Sequence, residues 1–575
     1  MKQEFGSGLK EFLKNRDYAN ASQGLKSLYS EYKTWDKFVD FGKNSGFKWS
    51  QIYLVKNLVE RFATVDDHEL KILLLHILYQ YEIGNLRTSI KRLNIEIAEW
   101  YQENVEIDYS KYIDLNPNLF GTASEPFLIV DSYIYINRIK KYEERFLSLL
   151  GSRLEECKKN SNFSIISGGP GTGKTTMVVS IIRDLINEGI TNIALAAPTG
   201  RAAKRVIESI NRELKDSDVN MPQQAYTLHK LLGISPNRDT PKYCSKRPLK
   251  YDVVIVDEAS MVDIHMMFRL FDALPVTSKL ILVGDKDQLP SVEAGALLGD
   301  FLYNYEDENH KMHNNITVLN KSFRSSKHIL DCAKLVILGN ANEVINFLKN
   351  MDNGILYNQL PNIDILITKI IGKYSCLPIK PFNVQISKYL QFNLQIEEAF
   401  KVFEEFTILT PSRKGLYGTK SLNNILKNKL NGGYKEFYHC QPIMITKNDY
   451  VNDLYNGDRG LIFEFSNGVF AFFRDGSGFK IISVSKISDF ETSYAGTVHK
   501  SQGSEYDSVT IIIPEGSEKL LTREILYTAL TRAKKTVSLY SNDNEIILAV
   551  NRKIVRESGI RSFLMYNDIY KKRGK

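Results

Sequence analysis

The segment Gly168 to Thr175, GGPGTGKT, has the residue types of a loop that cradles phosphates. It stands between an apolar run, SIIS (164–167), and a helix-patterned stretch, MVVSIIRDLI (177–186). That order of strand, glycine loop and helix is the context that makes the pattern a P-loop. Glycines let backbone N–H groups converge on phosphate oxygens, and the start of the helix adds its dipole. In this reading Gly168, Gly169, Pro170, Gly171, Thr172, Gly173 and Thr176 wrap the nucleotide. Lys174 holds the β- and γ-phosphates, and Thr175 holds Mg²⁺ through its hydroxyl.

Two further apolar runs end in polar groups. VVIVDEAS (253–260) ends in Asp257 and Glu258. Carboxylates at a buried strand end are costly to desolvate unless they meet a cation. Asp257 is therefore expected to serve the magnesium, and Glu258 to activate the attacking water as a general base. LILVGDKDQLPSVEAG (280–295) brings Asp285 and Gln288 to the same edge, where an amide can sense the γ-phosphate or orient the water. ATP and Mg²⁺ are the expected cofactors, and hydrolysis the expected chemistry.

These side chains need a scaffold of buried parallel strands. From about Pro126 the chain alternates short β-rich runs with amphipathic helices: FLIV (127–130), YIYI (133–136), SIIS, IALAA (193–197), VVIVD and LILVG. Apolar strands separated by helices predict an α/β fold, a doubly wound parallel sheet with ligands at the strand ends. FTILTPS (406–412), VTIIIP (509–514) and VSLY (537–540) suggest a second such stretch. Between them, turn signals at Asn456-Gly457, Asn467-Gly468 and Asp475-Gly476 with β spacing predict a small β-barrel over 438–490. The first hundred or so residues read as helices. Leu70, Leu73, Leu74, Ile77 and Leu78 repeat at helical spacing between Glu69 and Tyr81, and all three tryptophans, Trp35, Trp49 and Trp100, lie in this region. Its aromatics serve either a core or an interaction surface.

The composition is that of a folded chain of 575 residues, 43% hydrophobic and 25% charged, long enough for several cores. A net charge of +8, from 75 basic and 67 acidic residues, fits a polyanionic partner. The cysteines Cys157, Cys244, Cys332, Cys376 and Cys440 are too far apart for a zinc or iron–sulfur pattern and are read as reduced and buried. The N-terminal run MKQEFGSGLKEFLKNRD has charges where a signal peptide needs an apolar stretch. With no run long enough to span a bilayer, a cytoplasmic protein without a membrane partner is expected.

In order along the chain stand APTGRAAKR (197–205), TLHKLLG (227–233), VDEASMVD (256–263), GDKDQLPSVEAGALLGD (284–300), NKSFRS (320–325), YAGTVHKSQGSEYDSV (494–509) and LYTALTRAKK (526–535). With the P-loop, these motifs resemble the RecD family of superfamily 1 helicases, the α subunit of exodeoxyribonuclease V. YIYINRIKKYEE (133–144), ILTPSRKGLYGTKSLNNIL (408–426) and PIMITKNDYVNDLYNGDRG (442–460) resemble RecD in particular.

The resemblance implies two tandem RecA-like domains with ATP in the cleft between them. It carries the γ-phosphate-reaching arginines onto Arg324 and Arg532, and a ribose contact onto Glu505, with Gln502 linking DNA and nucleotide. It carries contacts to single-stranded DNA onto Pro198, Thr199, Arg201, Thr227, His229, Thr497 and His499. Thr and His also cap helices and satisfy buried groups, so each has an ordinary structural use as well. The expected domains are a helical, partner-docking one over 1–110, a first RecA-like domain over 111–318, a second over 319–437 and 491–575, and the barrel over 438–490. Relatives carry a strand-splitting pin where residues 234–250 leave room for a small hairpin. They also place a glutamine before the P-loop, whereas Tyr142 to Ser167 contains none.

The expected activity is that of an ATP-dependent 5′→3′ single-stranded-DNA translocase and helicase. It would work on single-stranded and duplex-end DNA, as the RecD-type subunit of a double-strand-end-processing complex with RecB-like and RecC-like subunits. The nuclease is expected in a partner. A free-standing 5′→3′ helicase and a non-hydrolysing ATP- and DNA-binding scaffold are the alternatives.

Overall fold

The computed structural model describes residues 38–565 apart from 41, 44–46, 102–107, 161, 214–220, 236–239, 292, 321–325, 351–353, 375–376, 378–379, 432–435, 450 and 477. The chain divides into two compact units, Met1–Lys141 and Tyr142–Lys575.

In the first unit the expected helix is present as His68–Glu82. Asp67 caps it by accepting from the His68 N–H, and Leu70, Leu73, Leu74, Ile77 and Leu78 are buried. It packs with the helix Trp49–Phe62 over a four-stranded sheet made of β1 (Arg87–Ser89), β2 (Phe120–Gly121), β3 (Phe127–Val130) and β4 (Tyr133–Ile136), in the order β1-β4-β3-β2. FLIV and YIYI therefore pair antiparallel in this unit and do not lead into a parallel sheet. The cause is the two-residue connection Asp131-Ser132. Both residues take positive φ, 49° and 65°, which closes a tight hairpin and leaves no length for a crossover helix. Trp49 is 50% exposed and stands 5.9 Å from Tyr53, so this tryptophan is a surface residue. Trp35 lies outside the described residues.

In the second unit a parallel sheet is built from β5 (Phe163–Gly168), β6 (Ile193–Ala197), β7 (Ala225–Thr227), β8 (Val253–Val256), β9 (Lys279–Gly284) and β10 (Ile316–Leu319). Its order is β10-β5-β9-β8-β6-β7, with every pair parallel. Further along come β11 (Ile355–Asn358) and β12 (Phe406–Thr410). There follow β13 (Gln441–Ile445), β14 (Arg459–Phe465), β15 (Gly468–Asp475), β16 (Gly478–Ser483) and β17 (Phe490–Thr492), and finally β18 (Ala495–Thr497), β19 (Tyr506–Ile512) and β20 (Ala533–Tyr540). A second all-parallel sheet has the order β11-β20-β19-β12-β18. The near-continuous burial of β8, β9, β12 and β19 is what sheets covered on both faces require.

The β-rich insertion is an antiparallel sheet in the order β16-β15-β14-β13-β17. One of its faces joins the second sheet's core through Phe463, Phe465 and Phe472, and the other closes over Ile443, Ile462 and Phe473. The chain's last described stretch reaches beyond the second sheet. After the helix Asp543–Asn551, residues 556–561 leave the second sheet and hydrogen-bond to Glu143, Gly295 and Asp300 beside the first. Buried acceptors there, Asp300 above all, draw in the polar strap.

Candidate nucleotide and nucleic-acid site

The P-loop follows β5 directly, and the helix Lys174–Asn187 starts on its lysine. Gly171 and Gly173 hold φ of 72° and 86°, which turns successive N–H groups toward one concavity. A Cβ on Gly168 would lie 2.9 Å from the Leu319 carbonyl, so only glycine fits between β5 and β10. Lys174 Nζ donates to the carbonyls of Gly168 at 2.5 Å and Gly169 at 2.9 Å, and Thr172 Oγ1 donates to Gly169 O at 2.8 Å. The cradle thus holds its own shape. Thr175 and Asp257 line one small, mostly apolar cavity together with Val178, Leu195 and Ile255, which makes the two magnesium candidates neighbours. Their hydroxyl and carboxylate are oxygen donors of the kind a hard cation takes. Thr176 lies on the exposed side, its hydroxyl 3.4 Å from Glu213.

Glu258 takes a left-handed backbone, φ 53° and ψ 39°, a strained choice for a non-glycine residue. Its N–H donates to Asp257 Oδ1 at 2.8 Å. Burial raises the carboxyl pKa of both residues, and for Glu258 the Asp257 charge adds to the rise. Lys174 and Arg205 pull both back, as Arg532 does for Glu258. Asp285, 2% exposed, is likewise raised by burial and opposed by Lys174. Its Oδ2 accepts from Gln288 Nε2 at 3.2 Å and from Tyr527 Oη at 3.0 Å, while Gln288 Oε1 is buried without a partner. An amide oxygen left open beside the phosphate cradle is an acceptor that a water can fill.

The second sheet supplies the opposite wall. Arg532, 2% exposed, donates from Nε to Thr528 O at 3.1 Å and from Nη1 to Ser504 O at 3.0 Å. Thr528 Oγ1 accepts from the Leu289 N–H at 3.1 Å, and Gln502 Nε2 donates to Leu289 O at 2.7 Å. The loop after β9 is thereby clasped by groups around β19 and β20. Glu505 pairs with Lys534 at 3.8 Å. Arg324 lies outside the described residues.

The DNA candidates occupy different strand ends. Pro198, Thr199 and Arg201 follow β6, one strand in from the edge; Thr227 ends the edge strand β7 with His229 in the short helix after it; Thr497 ends the edge strand β18 and His499 follows it. The three threonine hydroxyls act as caps, accepting from the N–H groups of Ala202, Lys230 and Lys500. Burial lowers the pKa of His229 and of His499. The phenol of Tyr506 accepts from Arg459 Nη1 at 2.9 Å, and the nearby Arg201 adds to Arg459 in lowering its pKa. The pin region contains a tight turn in which Cys244 and Arg247 exchange backbone hydrogen bonds at 3.1 and 2.8 Å.

Sequence reasoning passed over Arg205, Tyr506 and Tyr527, although each stood inside a quoted motif. For Tyr506 and Tyr527 the signal was burial, and for Arg205 it was the charge it sets near Asp257 and Glu258, neither of which a motif spells out. Tyr506 makes a prediction. Burial would raise its phenol, but Arg459 and Arg201 outweigh that and hold it at about 7. A folded pKa below the unfolded value near 10 means a stabilisation fully present above about pH 10 and lost as pH falls through about 7. The melting temperature of the wild type minus that of Tyr506→Phe should therefore grow from pH 7 to pH 9. A constant difference would show that the phenol does not ionise there.

Two parallel sheets, a P-loop on one and a buried arginine facing it from the other, define a P-loop motor-type ATPase. Residues 155–294 match the family described as AAA domain, and residues 492–540 the UvrD-like helicase C-terminal domain. The chain is 33% identical over 439 residues to the RecBCD enzyme subunit RecD of Mycolicibacterium smegmatis, covering 72% of this chain and 76% of that one. Against the same subunit of Mycobacterium tuberculosis it is 32% identical, covering 71% and 72%. The ATP-dependent RecD2 DNA helicase of Deinococcus radiodurans is 28% identical over 64% of this chain and 46% of that one. Among solved structures, a Bacteroides Pif1 helicase in complex with ADP-AlF3 and ssDNA overlaps with a TM-score of 0.36 at 19% identity, covering 67% of this chain and 91% of that one. The chain belongs to the RecD family.

Proposed function

We infer that this chain is an ATP-dependent 5′→3′ DNA helicase and single-stranded-DNA translocase, the RecD-type subunit of a complex that processes double-strand ends. The observation that carries the reading is the meeting of Lys174, Glu258 and Gln288 on one wall with Arg532 on the other. A non-hydrolysing scaffold has no use for a buried arginine held by Ser504 O and Thr528 O across from a strained Glu258.

Lys174 and the P-loop N–H groups bind the phosphates, and Thr175 and Asp257 are the residues that would hold Mg²⁺. The ion, when bound, offsets charge on the phosphates. Glu258 takes the proton of the attacking water, Gln288 orients that water through its open Oε1, and Arg532, with Arg324, answers charge developing on the γ-phosphate. Pro198, Thr199, Arg201, Thr227, His229, Thr497 and His499 grip the DNA beyond the ends of β6, β7 and β18. Glu505 meets the ribose. Closure and opening of the two walls shift that grip along the backbone, without reading sequence.

The inserted sheet serves as the family's small barrel, the Cys244–Arg247 turn sits where the pin is expected, and the working place is the cytoplasm. Among the described residues no helix is long and apolar enough to cross a membrane. The nuclease resides in a partner subunit, and the N-terminal unit docks the RecB- and RecC-like subunits. A deletion at residue 110 would cut between β1 and its partner β4, so the informative deletion removes residues 1–136. It should abolish co-purification with those subunits while leaving DNA-stimulated ATPase. A complex that survives it, judged by size-exclusion chromatography, would overturn the docking role. The reading as a whole is tested by ATP hydrolysis in single-stranded DNA and Mg²⁺. Absence of turnover would favour the scaffold.

A further inference from the structure

Arg556 stands outside every motif in the sequence, yet it is 8% exposed and works beside the catalytic loop. Its Nη1 donates to Gly295 O at 2.8 Å and Glu293 O at 3.1 Å, with Ser291 Oγ at 3.4 Å. The single Ser291 hydroxyl proton is shared between Gly295 O and Glu293 O, both 2.9 Å from Oγ, so guanidinium and hydroxyl together close the turn that follows Gln288 and Leu289. Resting on the reading of this chain as an ATPase motor, we propose that Arg556 is a positioning residue for ATP hydrolysis, fixing from a C-terminal strap the loop that carries Gln288.

The strap is tied at both ends. Ile554 N–H donates to both carboxylate oxygens of Glu524 at 3.1 Å, at the start of the helix Arg523–Leu530 that bears Tyr527 and Thr528. Ser558 Oγ donates to Asp300 Oδ2 at 2.7 Å, and the Gly559 N–H to Glu143 Oε1 at 2.6 Å. Arg556 stands two positions beyond Ile554, a reach of about 7 Å when extended. The Gln288 loop therefore cannot drift from the helix that feeds Arg532 while the Ile554 bonds to Glu524 and the Arg556 bonds to the loop hold; the Ser558 and Gly559 bonds anchor only the strap's far end. Tyr527 to Asp285 and Thr528 to Leu289 tie the same two elements from within the cleft. His499, at the sheet edge assigned to DNA, is near enough that the Arg556 charge adds to the lowering that burial gives its imidazole. The arginine thus stands between the water-orienting loop and the strand-gripping edge. Its guanidinium bonds go to the oxygens of this loop, so it acts through Gln288.

The test compares full-length wild type with Arg556→Met, which keeps volume and loses the donors, Arg556→Lys, and Ser558→Ala, which loosens the strap away from the loop. Steady-state ATPase is measured with a poly-dT oligonucleotide, and nucleotide affinity by a fluorescent ADP. Arg556→Met should lower kcat at least tenfold with KM for ATP and nucleotide affinity within twofold. Arg556→Lys should return kcat to within threefold of wild type, and Ser558→Ala should leave it there. Should Arg556→Met not fold, Arg556→Gln is read instead, with a fall of at least threefold expected. The proposal is overturned if kcat of the Met variant stays within threefold, if KM rises in step, or if Ser558→Ala falls equally. A wild-type chain without ATPase removes the parent reading and this one with it.

Discussion

Lys174→Gln is expected to abolish ATP turnover, by about 10³-fold or more, in a chain that still folds. The amide can keep one of the two bonds that Nζ now donates to Gly168 O and Gly169 O, so the loop retains a support. What disappears is the charge. Lys174 opposes the burial that raises the pKa of Asp257, Glu258 and Asp285, so its loss pushes all three further toward the protonated form. A protonated Glu258 cannot accept the water's proton, and a protonated Asp257 cannot hold a cation. Steady-state ATPase with single-stranded DNA, alongside a thermal melt, checks this. Turnover within tenfold of wild type would remove Lys174 from the site.

Arg532→Ala should lower kcat by about 10³ while leaving nucleotide affinity largely intact, because the P-loop is on the other wall. The guanidinium is held by Thr528 O and Ser504 O, which aims it without occupying all its donors. Its charge also counts among those lowering the Glu258 pKa. Arg532→Lys should rescue little, since one ammonium cannot keep both carbonyls and still present a fork to phosphate. Separate measurement of kcat and of fluorescent-nucleotide binding decides it. Equal losses in both would make Arg532 a binding group.

The parts of the site that were legible in the sequence are those where local pattern and chemistry coincide. Strand, glycine loop and lysine fix the P-loop, and an apolar strand ending in Asp257-Glu258 or Asp285 fixes where those carboxylates emerge. The parallel sheets follow from the same apolar runs. Legibility failed where long-range pairing decides. FLIV and YIYI look like any other β-rich run, and only the tight Asp131-Ser132 turn sends them into a hairpin with the N-terminal helices. Arg556 was hidden for a related reason. Its partners are backbone carbonyls some 260 residues away in sequence, and carbonyls leave no mark on residue type. The threonines at 199, 227 and 497 were legible as special positions, and their caps are the local half of their work.

The central claim is directional movement driven by ATP. It is tested most directly by unwinding of a duplex carrying either a 5′ or a 3′ single-stranded tail, with ATP and Mg²⁺. The account predicts strand separation from the 5′-tailed duplex only, lost in Lys174→Gln. Unwinding of the 3′-tailed duplex instead, or separation that persists in Lys174→Gln, would contradict it.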